Sequence, residues 1–300
     1  MDDLPDISLL EISDQPRLPP ELERTIFEFA AFLNPKDIPN TMLVAWRVKR
    51  WMEALLYRII VATYAEGQHM DFASGCPFVP LRVLLKQVHG KESSSIGLFA
   101  RRFFCDSSHM EASTLDAVVT ACPHLTHLHL YMNANPAHLP ILNRLHSLLE
   151  VAIDIKTLFR GGAVDFGSPF LRHVTHLELL DDDFEEALLS DLVLISDLTH
   201  LSFNIRGTIA PVHNRIRSIT QLKCIVFFKL RHTAEEMHPS CDDDRLVCIS
   251  QTSFREDWLR GASTDEDYWA LADEFIAAKR VGKVDKSLYF IKDNDSSWKS

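Results

Sequence analysis

The chain has 300 residues, 46% of them hydrophobic, and a formal net charge of −11 at pH 7. That composition is globular and long enough for two ordinary domains, while the acidity argues against a nucleic-acid footprint, which requires a basic face. No apolar run approaches the roughly 18 residues that span a membrane, and Met1-Asp-Asp-Leu-Pro-Asp6 is acidic where a leader peptide is basic, so a soluble protein of the cytoplasm or nucleus is expected, binding neither membrane nor nucleic acid.

Residues 1–16 lack apolar periodicity and are expected to be disordered. Leu18-Pro19-Pro20-Glu21-Leu22 then opens a helix, since proline at a first helical position lacks only an N–H that would be orphaned there. Leu22, Ile26, Phe29 and Leu33 make one apolar stripe on it, and Asn34-Pro35 ends it. A second helical segment runs from Ile38 to about Trp46 and a third from about Arg47 to Ile59. Three short helices in so few residues bury little surface alone and need a neighbour.

Leu18-Pro19-Pro20-Glu21-Leu22, Ile26-Phe27, Pro35-Lys36-Asp37, Leu43-Val44, Arg47 to Trp51 and Leu56-Tyr57-Arg58 resemble an F-box, and the whole is similar to the F-box-like proteins expanded in mushroom-forming fungi. The resemblance implies docking to the Skp1 adaptor of a cullin ubiquitin ligase through Leu18, Pro19, Ile26, Leu43, Val44 and Trp51. The chain departs from the pattern at Ala45 and Val48, where many F-boxes carry cysteine and tryptophan, and Trp51 stands one helical turn further on. The same residues also suit a plain helical core that caps the following array.

Residues 63–95 read as a linker and a first helix of that array, which spans residues 96–255. Its signature is a recurring phrase: Leu125-Thr-His-Leu-His-Leu130, Val174-Thr-His-Leu-Glu-Leu179 and Leu198-Thr-His-Leu-Ser-Phe203. Weaker copies bring the set to seven, beginning at residues 100, 125, 148, 174, 198, 222 and 246. Recurrence at a fixed period marks stacked units. Apolar residues at positions 1, 4 and 6 of each phrase, with helix-like stretches between (Thr114–Ala121, Ala137–Leu145, Phe184–Ile195), resemble degenerate leucine-rich repeats. The asparagine usual at position 9 of such repeats survives only as Asn133. The expected fold is therefore α/β: a three-helix F-box-like unit over residues 17–62, a repeat solenoid, and a helical cap and tail over residues 256–300. In the cap, Trp258, Tyr268, Trp269, Leu271, Phe275 and Ile276 lie at helical spacing and should cover the open end of the array, with a helix start at Ser263 or Thr264.

Position 3 of the phrases should project from an open, concave face as a column: Arg102, His127, Glu150, His176, His200, Cys224 and Cys248, with position 5 (Phe104, His129, Ala152, Glu178, Ser202, Val226) beside it. Concave solenoid faces bind partners, so Arg102, His127, His129, Glu150, His176, Glu178 and His200 are the candidate surface for an unknown protein target. Glu150, His176, His200 and Cys224 form a zinc ligand set on paper, yet a column on one sheet face closes a tetrahedron awkwardly, and no metal or cofactor is expected. The six cysteines include no CxxC pair and are expected to remain thiols. GxSxG, HExxH and Gly-rich phosphate loops do not occur, and no catalytic residue is assigned. The expectation is a non-catalytic adaptor, with a repeat scaffold lacking a ligase, and a metal or thiol enzyme on the His/Cys column, as the alternatives.

Overall fold

The structure, a computed structural model, describes residues 18–34, 37–62, 79–88, 96–106, 110–131, 134–160, 162–181, 186–204, 209–228, 243–250, 253–292 and 298. The segment 1–16, Pro35-Lys36, Asn133 and Asp182 to Phe184 lie outside them, as do Cys76, Cys241 and the tail from Asp293 apart from Trp298. By internal contacts the chain divides into residues 1–52 and residues 53–300.

The described part of the first unit is helical: α1 (Pro20–Leu33), α2 (Ile38–Thr41) and the start of α3 (Trp46–Leu56). Pro20 occupies the first turn of α1, where its missing N–H costs nothing. Arg47 donates two hydrogen bonds to the Glu23 carboxylate, at 2.8 and 2.7 Å, tying α3 to α1 and holding the Glu23 carboxyl below its ordinary range. Ala31, Ile38, Val48 and Met52 are buried. The third helix stops at Leu56, three residues before its expected end.

The second unit is built on one sheet of ten strands: β1 (Ile59–Ala62), β2 (Val79–Pro80), β3 (Arg102–Cys105), β4 (His127–Leu130), β5 (Glu150–Ile153), β6 (His176–Leu179), β7 (His200–Asn204), β8 (Cys224–Phe228), β9 (Leu246–Ser250) and β10 (Phe290–Lys292). The order is β10-β9-β8-β7-β6-β5-β4-β3-β1-β2 and every pairing is parallel. The protein is thus α/β, and from β3 to β9 each phrase adds one strand beside the last. Parallel neighbours require a crossover. Here the crossovers carry short helices: α4 (Leu81–Val88) and α5 (Ile96–Phe99) before β3, then α6 (Ala112–Ala121), α7 (Leu139–Leu142), α8 (Ile155–Leu158), α9 (Glu186–Leu189) and α10 (Ile209–Ile216).

The recurring Thr-His-Leu has a physical cause on each residue. The Thr126, Thr175 and Thr199 hydroxyls donate to the carbonyls of Arg101, Leu149 and Thr175 at 3.1–3.2 Å, so each strand is tied at its entry to the strand before it. The leucines at positions 4 and 6 point the other way, into a core shared with the crossover helices, and Leu128, Leu177, Leu201 and Ile225 are all but inaccessible. The position-3 residues fall into line: Arg102 pairs with His127, His127 with Glu150, Glu150 with His176, His176 with His200 and His200 with Cys224.

Three expectations are corrected. The seventh phrase is out of phase by three: Leu246 pairs with Ile225 at position 4 and Cys248 with Phe227 at position 6, so Cys248 belongs to the leucine core and not to the column. Ile59–Ala62, expected to close the helical unit, is instead a strand, with Ile59 opposite Arg102 and Ala62 opposite Cys105. Four consecutive buried β-branched or small residues suit a strand buried on both faces. The C-terminal helices, α11 (Phe254–Thr264) and α12 (Tyr268–Arg280), lie on the face of the sheet that carries the column, whereas the end position beside β9 is taken by β10.

The α11–α12 pair is held by specific chemistry. Ser253 caps α11 and Asp267 caps α12, each accepting a backbone N–H with its side chain; the expected start at Ser263 or Thr264 is the last turn of α11. Asp265 takes a left-handed conformation at φ 58° between the helices, and a Cβ on Gly261 would lie 2.5 Å from the Asp267 Cβ, so the tight turn excludes a side chain there. At its C-terminus α11 runs short of backbone donors, although Gly261 O accepts the Asp265 N–H at 3.0 Å. Arg102 donates to Gly261 O at 2.6 Å and Arg58 to Ala262 O at 2.6 Å, placing cationic donors at the negative end of the helix. Trp258 packs on Phe104, and Tyr268 edge-on to Phe228.

Candidate functional site

Two regions carry candidate functional residues, and burial separates them. On the first unit, Leu18, Pro19, Ile26, Leu43 and Val44 are exposed and Trp51 is half-buried. Around them Leu22, Phe29, Phe32, Leu33 and Trp46 are also exposed, with Leu43 84% and Trp46 72% accessible. The stripe read from the sequence of α1 is real, and it faces solvent. These residues are not the core of their unit; Ala31, Ile38, Val48 and Met52 are.

The column lies beneath this chain's own helices. His129, Glu178 and His200 are buried, and Arg102, His127, Glu150 and His176 are half-buried. An open concave face made of these seven residues is therefore corrected: Arg102, His129, His176, Glu178 and His200 contact α11, α12 or the turn between them, and His127 and Glu150 lie against each other. Arg102 pairs with Asp265 at 2.9 Å, the Tyr268 hydroxyl donates to Glu178 Oε2 at 3.2 Å, and His200 meets Asp273 at 3.2 Å. His129 stacks on Phe104 and leans on Phe254, and the His176 and His200 rings stack at 4.0 Å with Trp269 edge-on to both.

Coverage sets the charge states. Burial lowers the pKa values of His127, His129 and His176 to about 3, and raises those of Glu150 and Glu178 to about 8. At neutral pH the covered face thus holds neutral imidazoles and neutral carboxyls, and His127 Nε2 sits 3.5 Å from Glu150 Oε2 without an ionic charge on either.

Each threonine that ties a strand also orients the next histidine. Thr126, Thr175 and Thr199 Oγ1 lie 2.8, 2.8 and 2.7 Å from Nδ1 of His127, His176 and His200. Because each hydroxyl hydrogen is committed to a carbonyl, the hydroxyl oxygen accepts and Nδ1 carries the proton. In the neutral His127 and His176 rings the lone pair is then on Nε2, directed toward the covered side.

Among the described residues, His200, Cys224 and Asp273 bring three metal-capable atoms within 4.8 Å of one another. His200 and Cys224 come from register-paired positions of β7 and β8, and Asp273 from α12. The set expected from the sequence has His176 and Glu150 beside His200 and Cys224 and lacks Asp273, since nothing local announces that a helix residue 73 positions further on returns to His200. As a nucleophile Cys224 is unsuited: it is fully buried, and burial pushes its thiol well above the ordinary range.

No helix among the described residues is long and apolar enough to cross a membrane. The chain matches no family model and no curated protein.

Proposed function

We propose that this chain is a non-catalytic adaptor: an F-box-like unit docks a Skp1-type protein of a cullin ubiquitin ligase, and a leucine-rich-repeat-like solenoid carries the bound target. The observation that carries the reading is the exposure of Leu18, Leu22, Ile26, Phe29, Leu33, Leu43, Val44 and Trp46 in a unit of this size. A purely structural cap would spend those side chains on its own core. Apolar exposure on this scale marks an interaction surface, and four of these residues are among those that the F-box resemblance singles out.

The repeat-like half of the reading is supported by the register of β3 to β8, in which one phrase per strand stacks in chain order. With the column occupied by α11 and α12, the target surface in this reading lies off the column. A scaffold function without a ligase remains the alternative for the same array. An enzyme on the His/Cys column is disfavoured by the buried, high-pKa Cys224.

The test is a titration of the intact chain with a Skp1-type adaptor by calorimetry. Binding at micromolar or tighter concentration, weakened in the Leu18→Ala, Pro19→Ala double variant while its melting curve stays in place, supports the reading. Absence of binding by the intact protein removes it.

A further inference from the structure

The Thr199–His200 arrangement aims one ring nitrogen at α12. With the Thr199 hydrogen donated to Thr175 O at 3.2 Å and Nδ1–H of His200 donated to Thr199 Oγ1 at 2.7 Å, Nε2 is turned toward both oxygens of Asp273 at 3.2 Å. A positive species shared by that nitrogen and the carboxylate, a proton or a bound cation, satisfies both. A proton on Nε2 is one solution. It leaves Cys224, whose sulfur lies in the same 4.8 Å group, as a bystander.

We propose that His200, Cys224 and Asp273 bind a divalent transition metal ion of the zinc type, with water in the remaining position, and that this ion fastens α12 to β7 and β8. Imidazole, thiolate and carboxylate are the donor set that zinc takes. The Thr199 hydroxyl is the outer partner that a ligating histidine requires, accepting the other ring N–H and fixing which nitrogen is free. Neighbouring parallel strands lie about 4.8 Å apart, a separation over which one ion bridges two side chains. The objection raised by a flat column is met by α12, which brings Asp273 from outside the sheet plane. Asp273 is exposed, so the ion and its water have a route from solvent. On binding, Cys224 gives its thiol proton to solvent, and sulfur, Nε2 and a carboxylate oxygen each donate an electron pair to the ion. His127 has its lone pair opposite a neutral Glu150 and makes no such demand.

The experiment is a Co²⁺ titration of the reduced, chelator-stripped full chain, followed by absorption spectroscopy. One equivalent should bind with a thiolate-to-cobalt charge-transfer band, be displaced by Zn²⁺, and raise the melting temperature. Cys224→Ser should abolish the band, and Cys122→Ser, at a buried cysteine of the leucine core, should keep it. Asp273→Asn, at an exposed carboxylate, should keep the melting curve of the metal-free protein and weaken affinity by about ten-fold or more. The proposal is overturned by absence of a stoichiometric band in the parent protein, by a band that survives Cys224→Ser, or by unchanged affinity in Asp273→Asn. Should Cys224→Ser fail to fold, the parent titration and Asp273→Asn decide.

Discussion

Helices toward the two ends of this chain carry the same kind of apolar stripe and meet different fates. α12 buries Tyr268, Trp269, Phe275 and Ile276, whereas α1 leaves Leu22, Ile26, Phe29 and Leu33 in solvent. Local signals do not separate them, since each has a good helix start, at Asp267 and at Pro19-Pro20. What differs is the complement. The sheet supplies Val226, Phe228, Val247 and Ile249 to the C-terminal cluster, and the first unit supplies no matching face among its described residues. An amphipathic pattern thus gives a helix an apolar face, and burial shows whether the described residues of this chain cover it.

The sharpest way to break that contrast is to truncate matching residues on the two sides. Phe275→Ala should cost about 3–5 kcal/mol in denaturant unfolding, because it leaves a cavity beneath α12. Leu177→Ala, on the opposite face of the sheet, should cost about 2–5 kcal/mol by the same mechanism. A Phe275→Ala protein as stable as the parent would mean that α12 does not pack on the sheet.

Alkali probes the coverage without mutation. Glu150 and Glu178, raised to about 8 against an ordinary 4.5, face Arg102, His127, Asp257, Asp265, Asp267 and Tyr268. Between those values the folded chain holds protons that the unfolded chain releases, so their contribution makes stability fall as pH rises. His127, His129 and His176, lowered from 6.5 to about 3, act with the opposite sign, and their contribution makes stability rise with pH up to 6.5. Above 6.5 only the carboxyl contribution remains. Unfolding free energy should therefore drop from pH 6.5 to pH 8, by roughly 1–2 kcal/mol for each carboxyl, and Glu178→Gln should flatten the drop. A profile that rises over that interval would show the carboxyls to be ionised and solvated.

Smaller effects grade the two surfaces. His176→Ala loses ring stacking on His200 and the Trp269 edge, and should cost about 1 kcal/mol. Leu33→Ala, on the exposed stripe of α1, should change stability by no more than about 0.5 kcal/mol. Equal costs for the two would erase the distinction between covered and waiting surfaces.

Much of the sheet was legible because its period is written in side chains. Thr-His-Leu repeats since the threonine ties strands, the histidine lies over that threonine and the leucine fills the core. Register from Arg102 to Cys224 follows directly. The strand at Ile59–Ala62 escaped because its phrase, Tyr57-Arg-Ile-Ile-Val-Ala62, lacks the Thr-His pair and continues a helix without a break. The slip at Leu246 escaped because an apolar run such as Leu246-Val-Cys-Ile249 fits more than one phase. Coverage of the column did have a signal. Phe104, Ala152 and Val226 at position 5 are too apolar for an open face, and they mark the surface that α11 and α12 bury. The His200–Asp273 meeting had none, since it depends on how a helix docks and not on spacing along the chain.

The central proposal is that the exposed apolar residues of the first unit are a docking surface for an outside partner. It is tested most directly by measuring adaptor binding and thermal unfolding of the Leu43→Ala, Val44→Ala double variant side by side with the parent. The account predicts an unchanged melting temperature together with an adaptor affinity weakened by about ten-fold or more, as loss of central interface residues brings. A collapsed melting curve, or full affinity for the adaptor, would contradict it.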